Sequence, residues 1–449
     1  MITEIKWNNH PILGNLTLNL TKSSGEPYKT IIIVGENGTG KTTILESLST
    51  FLNLGSMSPF EYIKYEVDGE SYTAIPDKDT HNLGFHTRIR DANNAHTIVH
   101  TNRYNNMQLL NTDKLDIRHY GCVYSKARSG FNTQRIKSTT TQQLDGDKYA
   151  EDKTEDFTHI KQLLIDIQTQ DNSILTRKFI KGEITNPREF DDISKMKRFK
   201  TAFDNFFLDM LFDGIDEEAS DEIKIIFTKK GKKVAVDDLS TGEKQIVFRG
   251  TYLLKNSSNL NGGVILVDEP ELSMHPKWQS KILDFYKGLF TTNDLQTTQM
   301  FFATHSENVV RSAINDTDAL VIILTKDKGI ISANRINDVV LPSITAAEIN
   351  YLAFGVVSID YHIALYGYLQ EQSGKSSIRA ADSFIANQTE YNDGIHKYLD
   401  TNYGKNYQTL PTYIRNAIDH PDSGRIYTEE QMAISVELLR SICKKLQHG

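Results

Sequence analysis

Cysteine is nearly absent: Cys122 and Cys443 are the only two in 449 residues, and no C-x-x-C occurs. That excludes a disulfide framework and a thiolate zinc site, and it suits a reducing cytoplasm. No apolar run approaches the length needed to span a bilayer. The opening M-I-T-E-I-K-W-N-N-H also lacks the apolar core of a signal peptide, so a cytoplasmic protein with no membrane partner is expected. Positive charge is in deficit, with a formal net charge of -8. This argues against a protein that coats nucleic acid over its whole surface, while leaving room for local basic patches. No internal repeat or low-complexity tract is visible. What the chain does have is length and 39% hydrophobic content, enough for a large core and two or three lobes.

The most informative stretch is I-I-I-V-G-E-N-G-T-G-K-T-T-I-L-E-S-L-S, Ile31 to Ser49. Gly35 to Thr42 fit G-x-x-x-x-G-K-[ST], a phosphate-binding loop. An apolar run precedes it as a buried strand should, and Ile44, Leu45, Leu48, Phe51 and Leu52 follow at helical spacing. In such a loop, main-chain N–H groups around Asn37, Gly38, Thr39 and Gly40 close on the β-phosphate, with Thr43 in the first helical turn. Lys41 reaches the β- and γ-phosphates, and Thr42 offers a hydroxyl to Mg²⁺. A chance Gly-Lys-Thr turn is the competing explanation, and the flanking strand and helix argue against it.

Three further stretches fit the same chemistry. V-I-L-V-D-E-P-E, Val264 to Glu271, is an apolar strand ending in two adjacent acids. Asp268 is suited to hold the Mg²⁺ water shell and Glu269 to orient or deprotonate an attacking water. M-F-F-A-T-H-S, Met300 to Ser306, ends a second apolar strand in His305. A lone histidine is usually structural, but ligands bind at the carboxyl ends of strands in open α/β sheets, where His305 can donate to a γ-phosphate. D-L-S-T-G-E-K-Q, Asp238 to Gln245, contains a capping box of Ser240 with Glu243. That box explains a helix start but not Gly242, which lowers helix propensity and clears room for a close approach.

Along the chain, Leu16, Leu18 and Leu20 alternate with polar residues and Ile2 and Ile5 precede them, so two strands lead into the loop strand. Glu61 to Ile75 reads as a hairpin about Asp68-Gly69. Residues 77 to 118 resist parsing apart from a strand candidate at Thr97 to Thr101, and Gly121 to Ser125 is a short buried strand. Helical spacing runs over Phe157 to Gln168 and Ile193 to Phe212, a helical lobe inserted at about 150–215. The basic runs Lys195 to Lys200 and Lys229 to Lys233, the latter in a hairpin turn, are the kind that usually line solvated faces. From Val264, strands alternate with helices at Pro276 to Leu289 and Ser306 to Ala313. After Leu341 only helical pattern is seen. The expected fold class is α/β, with a head over 1–341 and a mainly α-helical region over 342–449.

With these motifs in order, the chain resembles ABC-type ATPases of the SMC, RecF and OLD-like branch. G-E-N-G-T-G-K-T-T is similar to the Walker A loop, L-S-T-G-E-K-Q to the LSGGQ signature, V-I-L-V-D-E-P-E to the Walker B strand, and F-F-A-T-H-S to the switch-histidine strand. E-L-S-M-H-P falls where the D-loop does. Thr241 departs from the usual glycine, and the Q-loop glutamine stays open among Gln134, Gln142 and Gln143. The resemblance implies an ATP- and Mg²⁺-dependent P-loop ATPase head that forms a homodimer, with Ser240 and Gly242 acting in trans. D-E-P-E-L differs from the D-E-P-T-S of transporter subunits, and the missing heptads and cysteine hook set the chain apart from a full SMC protein. Stand-alone heads with an added C-terminal region resemble ATPases of bacterial anti-phage defence.

The tail holds R-N-A-I-D-H, Arg415 to His420, which resembles the R-N-x-x-x-H motif of HEPN ribonucleases. By that resemblance His420 would move protons and Arg415 would stabilise developing charge in a metal-independent RNA cleavage. An ABC head with such a tail resembles bacterial anticodon-nuclease toxins, although the acidic residue of an earlier helix has no clear match. A helix end closed by Pro421 is the plain alternative. Three functional classes are therefore carried forward. These are an ATP-gated switch with its own ribonuclease, a sensor or scaffold that controls a separate effector protein, and a RecF-like DNA-repair ATPase. RNA or DNA is a candidate partner.

Overall fold

The computed structural model describes residues 1–449 apart from 78–84, 129, 152–155, 192, 218–221, 315, 337–338, 344, 401–406 and 449. It divides into two compact units, 1–334 and 335–449. The boundary expected from sequence falls seven residues later, at 341 against 334. Of the hard-to-parse stretch 77–118, residues 78–84 lie outside the described residues.

The first unit starts with β1 (Ile2–Trp7), β2 (Thr17–Asn19), β3 (Thr30–Gly35) and α1 (Lys41–Leu52). Then come β4 (Phe60–Val67), β5 (Glu70–Pro76), β6 (His86–Arg90), β7 (Ala95–Val99), the single turn α2 (Met107–Leu110), β8 (Cys122–Ser125) and β9 (Tyr149–Glu151). The helical lobe holds α3 (Thr158–Ile180) and α4 (Lys197–Phe206), followed by β10 (Met210–Asp216), β11 (Lys224–Lys229) and β12 (Lys232–Ala235). After them run α5 (Thr241–Lys244), α6 (Gly250–Leu254), β13 (Val264–Asp268), α7 (Pro276–Leu289) and the small hairpin β14 (Thr291–Thr292) and β15 (Leu295–Gln296). The unit closes with β16 (Gln299–Thr304), α8 (Glu307–Ile314), β17 (Ala319–Asp327) and β18 (Ile330–Arg335).

Two sheets organise this unit. One has the order β18-β17-β3-β16-β13-β8-β9, parallel from β17 through β9. The other, β2-β1-β4-β5-β6-β7, is antiparallel. The two strands ahead of the phosphate loop therefore pair in the second sheet, not beside β3. Every residue of β3, β13 and β16 is buried, as strands covered on both faces must be. Ile31, Ile33, Leu266 and Phe301 point into one core with Ile44, Leu45 and Leu48 of α1 and Ile2, Ile5 and Trp7 of β1. Polar contacts of two buried side chains fix the packing. Trp7 Nε1 donates to Ser47 Oγ at 3.1 Å. Gln299, fully buried, accepts from Ile2 N at 2.7 Å and donates to Ile2 O and Tyr28 O, each at 2.9 Å.

The helical lobe differs from expectation at its end. Helix α4 stops at Phe206, where Phe207 turns to extended backbone (φ -89°, ψ 120°). Met210, Leu211 and Phe212 lie on β10, alternating buried, exposed, buried. Their period of two, not the helical spacing of Phe199, Phe203 and Phe206, is the local signal. Helix α3 also runs on to Ile180, well past Gln168.

The second unit holds α9 (Ala346–Phe354), α10 (Ile359–Ser373), α11 (Ile378–Ala386), α12 (Asp393–His396), β19 (Lys397–Asp400), β20 (Tyr407–Thr409), α13 (Leu410–Asp419) and α14 (Glu429–His448). The short antiparallel pair β19–β20 corrects the reading that no strand follows residue 341. Tyr361, Leu365 and Leu369 of α10 share a core with Val436, Leu439 and Ile442 of α14 and Ile414 of α13. Buried Glu348 accepts main-chain N–H bonds from Val340 at 2.6 Å and Leu341 at 3.3 Å, so the chain enters this unit tied to its first helix. Among the described residues no single helix is long and apolar enough to cross a membrane.

Candidate functional site at the strand ends

The phosphate loop leaves β3 at Gly35, and two glycines there are required, the first by space and the second by its left-handed backbone. A Cβ on Gly35 would stand 2.4 Å from Leu324 O. One on Gly40 (φ +90°) would meet Leu13 Cδ2 at 2.5 Å. Glu36, Asn37 and Gly38 are exposed, and Thr39 is pinned by its hydroxyl to Glu36 O at 2.8 Å. Lys41 is buried and donates to Gly35 O at 2.8 Å and Glu36 O at 2.9 Å. Thr42 Oγ1 donates to Asp268 Oδ2 at 2.9 Å. Thr43 lies half-buried in the first turn of α1.

Strand register gathers the other groups. Asp268 pairs with Ala303, and Thr304 with Val34, so β13, β16 and β3 end together. Glu269, in a left-handed conformation (φ 44°), donates its N–H to Ala303 O at 2.8 Å. His305 Nε2 lies 3.9 Å from Glu269 Oε1, and both side chains are about one-third exposed. Asp268, Glu269, His305, Lys41 and Thr42 thus share one edge of the sheet. Among the described residues no group of three or more His, Cys, Asp or Glu side chains could hold a metal alone. Two oxygens, from Thr42 and Asp268, fit Mg²⁺, which keeps waters and draws its remaining ligands from phosphate.

Burial dominates the electrostatics. It lowers the Lys41 ammonium to about 8, against the carboxylates of Asp268, Glu269 and Glu271. It raises the Asp268 carboxyl to about 6, helped by Glu269 and opposed by the Thr42 hydroxyl, Arg249 and Lys41. Burial, then Lys41, pushes the His305 imidazole below its ordinary value, with Glu269 opposing. His305 is therefore a neutral group near pH 7, able to donate one hydrogen bond without carrying charge.

The signature stretch forms the expected capping box. Ser240 Oγ accepts from Glu243 N, and the Glu243 carboxylate accepts from Ser240 N at 2.8 Å. Ser240 and Thr241 are exposed, but Gly242 is buried, and a Cβ there would stand 2.9 Å from Ser273 O of the same chain. Among the described residues no hydrogen bond joins the 240–243 turn to the phosphate loop. Beyond α5 the helix passes through a π-helical turn, Gln245–Arg249, into α6.

A family model described as "AAA domain, putative AbiEii toxin, Type IV TA system" matches residues 31–311, which include the phosphate loop, both acids and His305. The chain belongs to this family. It is an AAA-family ATPase. Among curated proteins, it is 26% identical over 336 residues to Septu protein PtuA of Bacillus thuringiensis, covering 72% of this chain and 76% of that one. It is 22% identical over 384 residues to the Retron Vc95 probable ATPase of Vibrio cholerae serotype O1 biovar El Tor, covering 70% and 73%. A solved SMC head domain from Thermotoga maritima aligns at 13% identity over 75% of this chain and 99% of that one, with a TM-score of 0.37.

Motif reading left two buried residues of this family member without a role: Arg249, and Gln245 at the end of the signature stretch. Arg249 donates to Asp268 O at 3.0 Å and Glu269 O at 3.1 Å, and also to Lys126 O. Gln245 donates to Arg128 O at 3.1 Å and Leu272 O at 3.0 Å. Both hold main-chain carbonyls around the two acids. The available signal was a guanidinium in the apolar stretch I-V-F-R-G-T-Y-L-L. The three candidate Q-loop glutamines lie near α3 instead. Gln134 N donates to Thr158 Oγ1 and Gln142 N to Asp166, and among the described residues no side-chain hydrogen bond links Gln134, Gln142 or Gln143 to the phosphate site.

In the second unit, the Arg415 guanidinium pairs with Asp419, one turn on, and with Asn416 Oδ1 at 3.3 Å. His420 is exposed and caps α13 in a non-helical conformation (φ -130°, ψ 71°) ahead of Pro421. Among the described residues no hydrogen bond joins Arg415 to His420.

The raised Asp268 carboxyl generates a test. Its value in the folded chain exceeds its ordinary 3.8. The ionised form therefore opposes folding from about pH 4 upward, reaching up to about 3 kcal/mol by pH 7.5. In nucleotide-free protein, Asp268→Asn is expected to unfold at a higher temperature than wild type at pH 7.5, by scanning calorimetry, with the gap closing as pH falls from about 6 towards 4. A gap independent of pH would contradict this account of Asp268.

Proposed function

We propose that the chain is a nucleotide-gated switch of anti-phage defence, whose ATPase sites form between two copies and whose C-terminal unit controls a separate effector. The observation that carries this reading is the shared strand edge. The hydroxyl of Thr42 and the carboxylate of Asp268 are placed for Mg²⁺, and Glu269 and His305 face each other one strand apart. When bound, Mg²⁺ neutralises phosphate charge. The protein's own groups do the rest. Lys41 and the N–H groups of residues 37–43 hold phosphates, Glu269 accepts a proton from water, and neutral His305 donates to the γ-phosphate oxygen. Ser240, exposed at the start of the helix that runs to Leu254, is free to meet a second copy, with Gly242 letting the turn pack on Ser273. The defence role rests on the resemblance read in the sequence, and relatives named for Septu and for a retron support it.

For the C-terminal unit, the scaffold reading is favoured over a ribonuclease, because the Arg415 guanidinium is engaged by Asp419 within its own helix. The exposed His420 keeps the nuclease alternative open to test.

Two experiments follow. Ser240→Arg should bind ATP as single subunits but not turn over, and Lys41→Ala should not bind. Mixed, each supplies what the other lacks, so turnover should return to at most one working site per heterodimer. No recovery in verified heterodimers would remove action in trans. For the second unit, RNA from cells expressing wild type should be as intact as RNA from cells expressing His420→Ala. Fragments with 2′,3′-cyclic phosphate ends, lost in both Arg415→Ala and His420→Ala, would instead assign a ribonuclease.

A further inference from the structure

We propose that Glu271 is a positioning residue for ATP hydrolysis, whose carboxylate fixes His305 against Glu269. Glu271 lies in the turn that leaves β13, three residues after Asp268, and is 7% exposed. Its Oε1 accepts from Thr304 Oγ1 at 2.8 Å and from His305 N at 2.9 Å. Both donors sit at the end of β16, the neighbouring strand. The main-chain ladder between β13 and β16 stops with the bond from Glu269 N to Ala303 O. Two residues further on, a side-chain oxygen takes over from the missing carbonyl. That oxygen receives the N–H of the very residue whose imidazole stands 3.9 Å from Glu269.

The anchor is extended on the far side of His305. Thr304 Oγ1 accepts from Ser306 N at 3.0 Å, and Ser306 Oγ donates to Gln279 Oε1 at 2.8 Å while accepting from Asn308 N at 3.2 Å. Both residues flanking His305 are thereby held, with Thr304 fully buried and Ser306 nearly so. Without the Glu271 acceptor, the Thr304 hydroxyl and the His305 N–H lose their shared partner in a place water reaches poorly, and the turn must rearrange to satisfy them. His305 moves with that turn. None of these hydrogen bonds reaches the phosphate loop, which Glu271 meets only through its charge on Lys41. Glu271 acts on turnover through His305, and Glu271→Gln, which removes the same charge as Glu271→Met, separates the two effects.

The proposal rests on the reading of Glu269 and His305 as the catalytic pair, and the test separates the two. Mg-ATP binding and steady-state turnover are measured on Glu271→Met, Glu271→Gln, His305→Ala and the Glu271→Met/His305→Ala double variant, with kcat expressed per nucleotide-binding subunit. Glu271→Met keeps the bulk and removes the acceptor. Its kcat should fall by about tenfold to a hundredfold, as a displaced catalytic group does, with ATP affinity held within about threefold. Glu271→Gln keeps an oxygen at the Oε1 position and should retain kcat within about threefold, which also guards against misfolding of the methionine variant. The double variant should be no slower than His305→Ala alone, because coupled residues are non-additive. Loss in His305→Ala with none in Glu271→Met overturns the positioning role alone. So does equal loss in Glu271→Gln and Glu271→Met, a fall in ATP affinity matching the fall in kcat, or multiplicative loss in the double variant. Wild-type turnover in His305→Ala overturns the catalytic reading, and this proposal with it.

Discussion

Main-chain register between parallel strands is the constraint on which the rest of the molecule depends. Because β3, β16 and β13 are hydrogen-bonded level with one another, Gly35, Thr304 and Asp268 reach the same edge together. A shift of one residue in any of them would turn its apolar side chains over and carry its terminal acid, histidine or glycine out of reach. Close packing of differently shaped side chains on both faces opposes that shift. One face meets α1 and the antiparallel sheet, and the other meets helices such as α7, where Tyr286 lies 5.9 Å from Phe302. Chemistry at the edge is thus specified by packing far from it, down to the Gln299 contacts that bolt β16 to β1.

The same edge carries a charge problem that favours a ligand. Lys41 and Asp268 are both drawn towards their neutral forms by burial, one to about 8 and the other to about 6. Each is thereby held in a poorly solvated position where an anion or a cation of the right size interacts strongly. Arg249 and Gln245 add a mechanical link, since the helix that starts at Ser240 grips the carbonyls of Asp268, Glu269 and Leu272. Contact between Gly242 and Ser273 presses the two segments together. Displacement of the signature helix by another molecule would therefore be felt at both acids of its own chain.

How much of this could be read from sequence depended on whether the signal was local. The phosphate loop, the helix Pro276–Leu289 and the Ser240–Glu243 box are written in contiguous residues, and each stands where its spacing put it. Local pattern failed at Met210 to Phe212, where bulky apolar residues satisfied helical and strand periods alike until Phe207 broke the helix. Long-range polar contacts were invisible in principle. Glu271 meets Thr304 across 33 residues, Gln245 meets Arg128 across 117, and Gln299 meets Ile2 across 297. Nothing in R-N-A-I-D-H distinguishes a catalytic arginine from one paired with Asp419, because four residues on a helix suit both.

The central claim is that Glu269, at the end of β13, performs chemistry on ATP held by Lys41 and Thr42. It is tested most directly by measuring phosphate release and Mg-ATP affinity side by side in wild type and Glu269→Gln. The account predicts wild-type affinity with release slowed by at least about a hundredfold, as removal of a general base requires. Equal rates of release in the two proteins would contradict it.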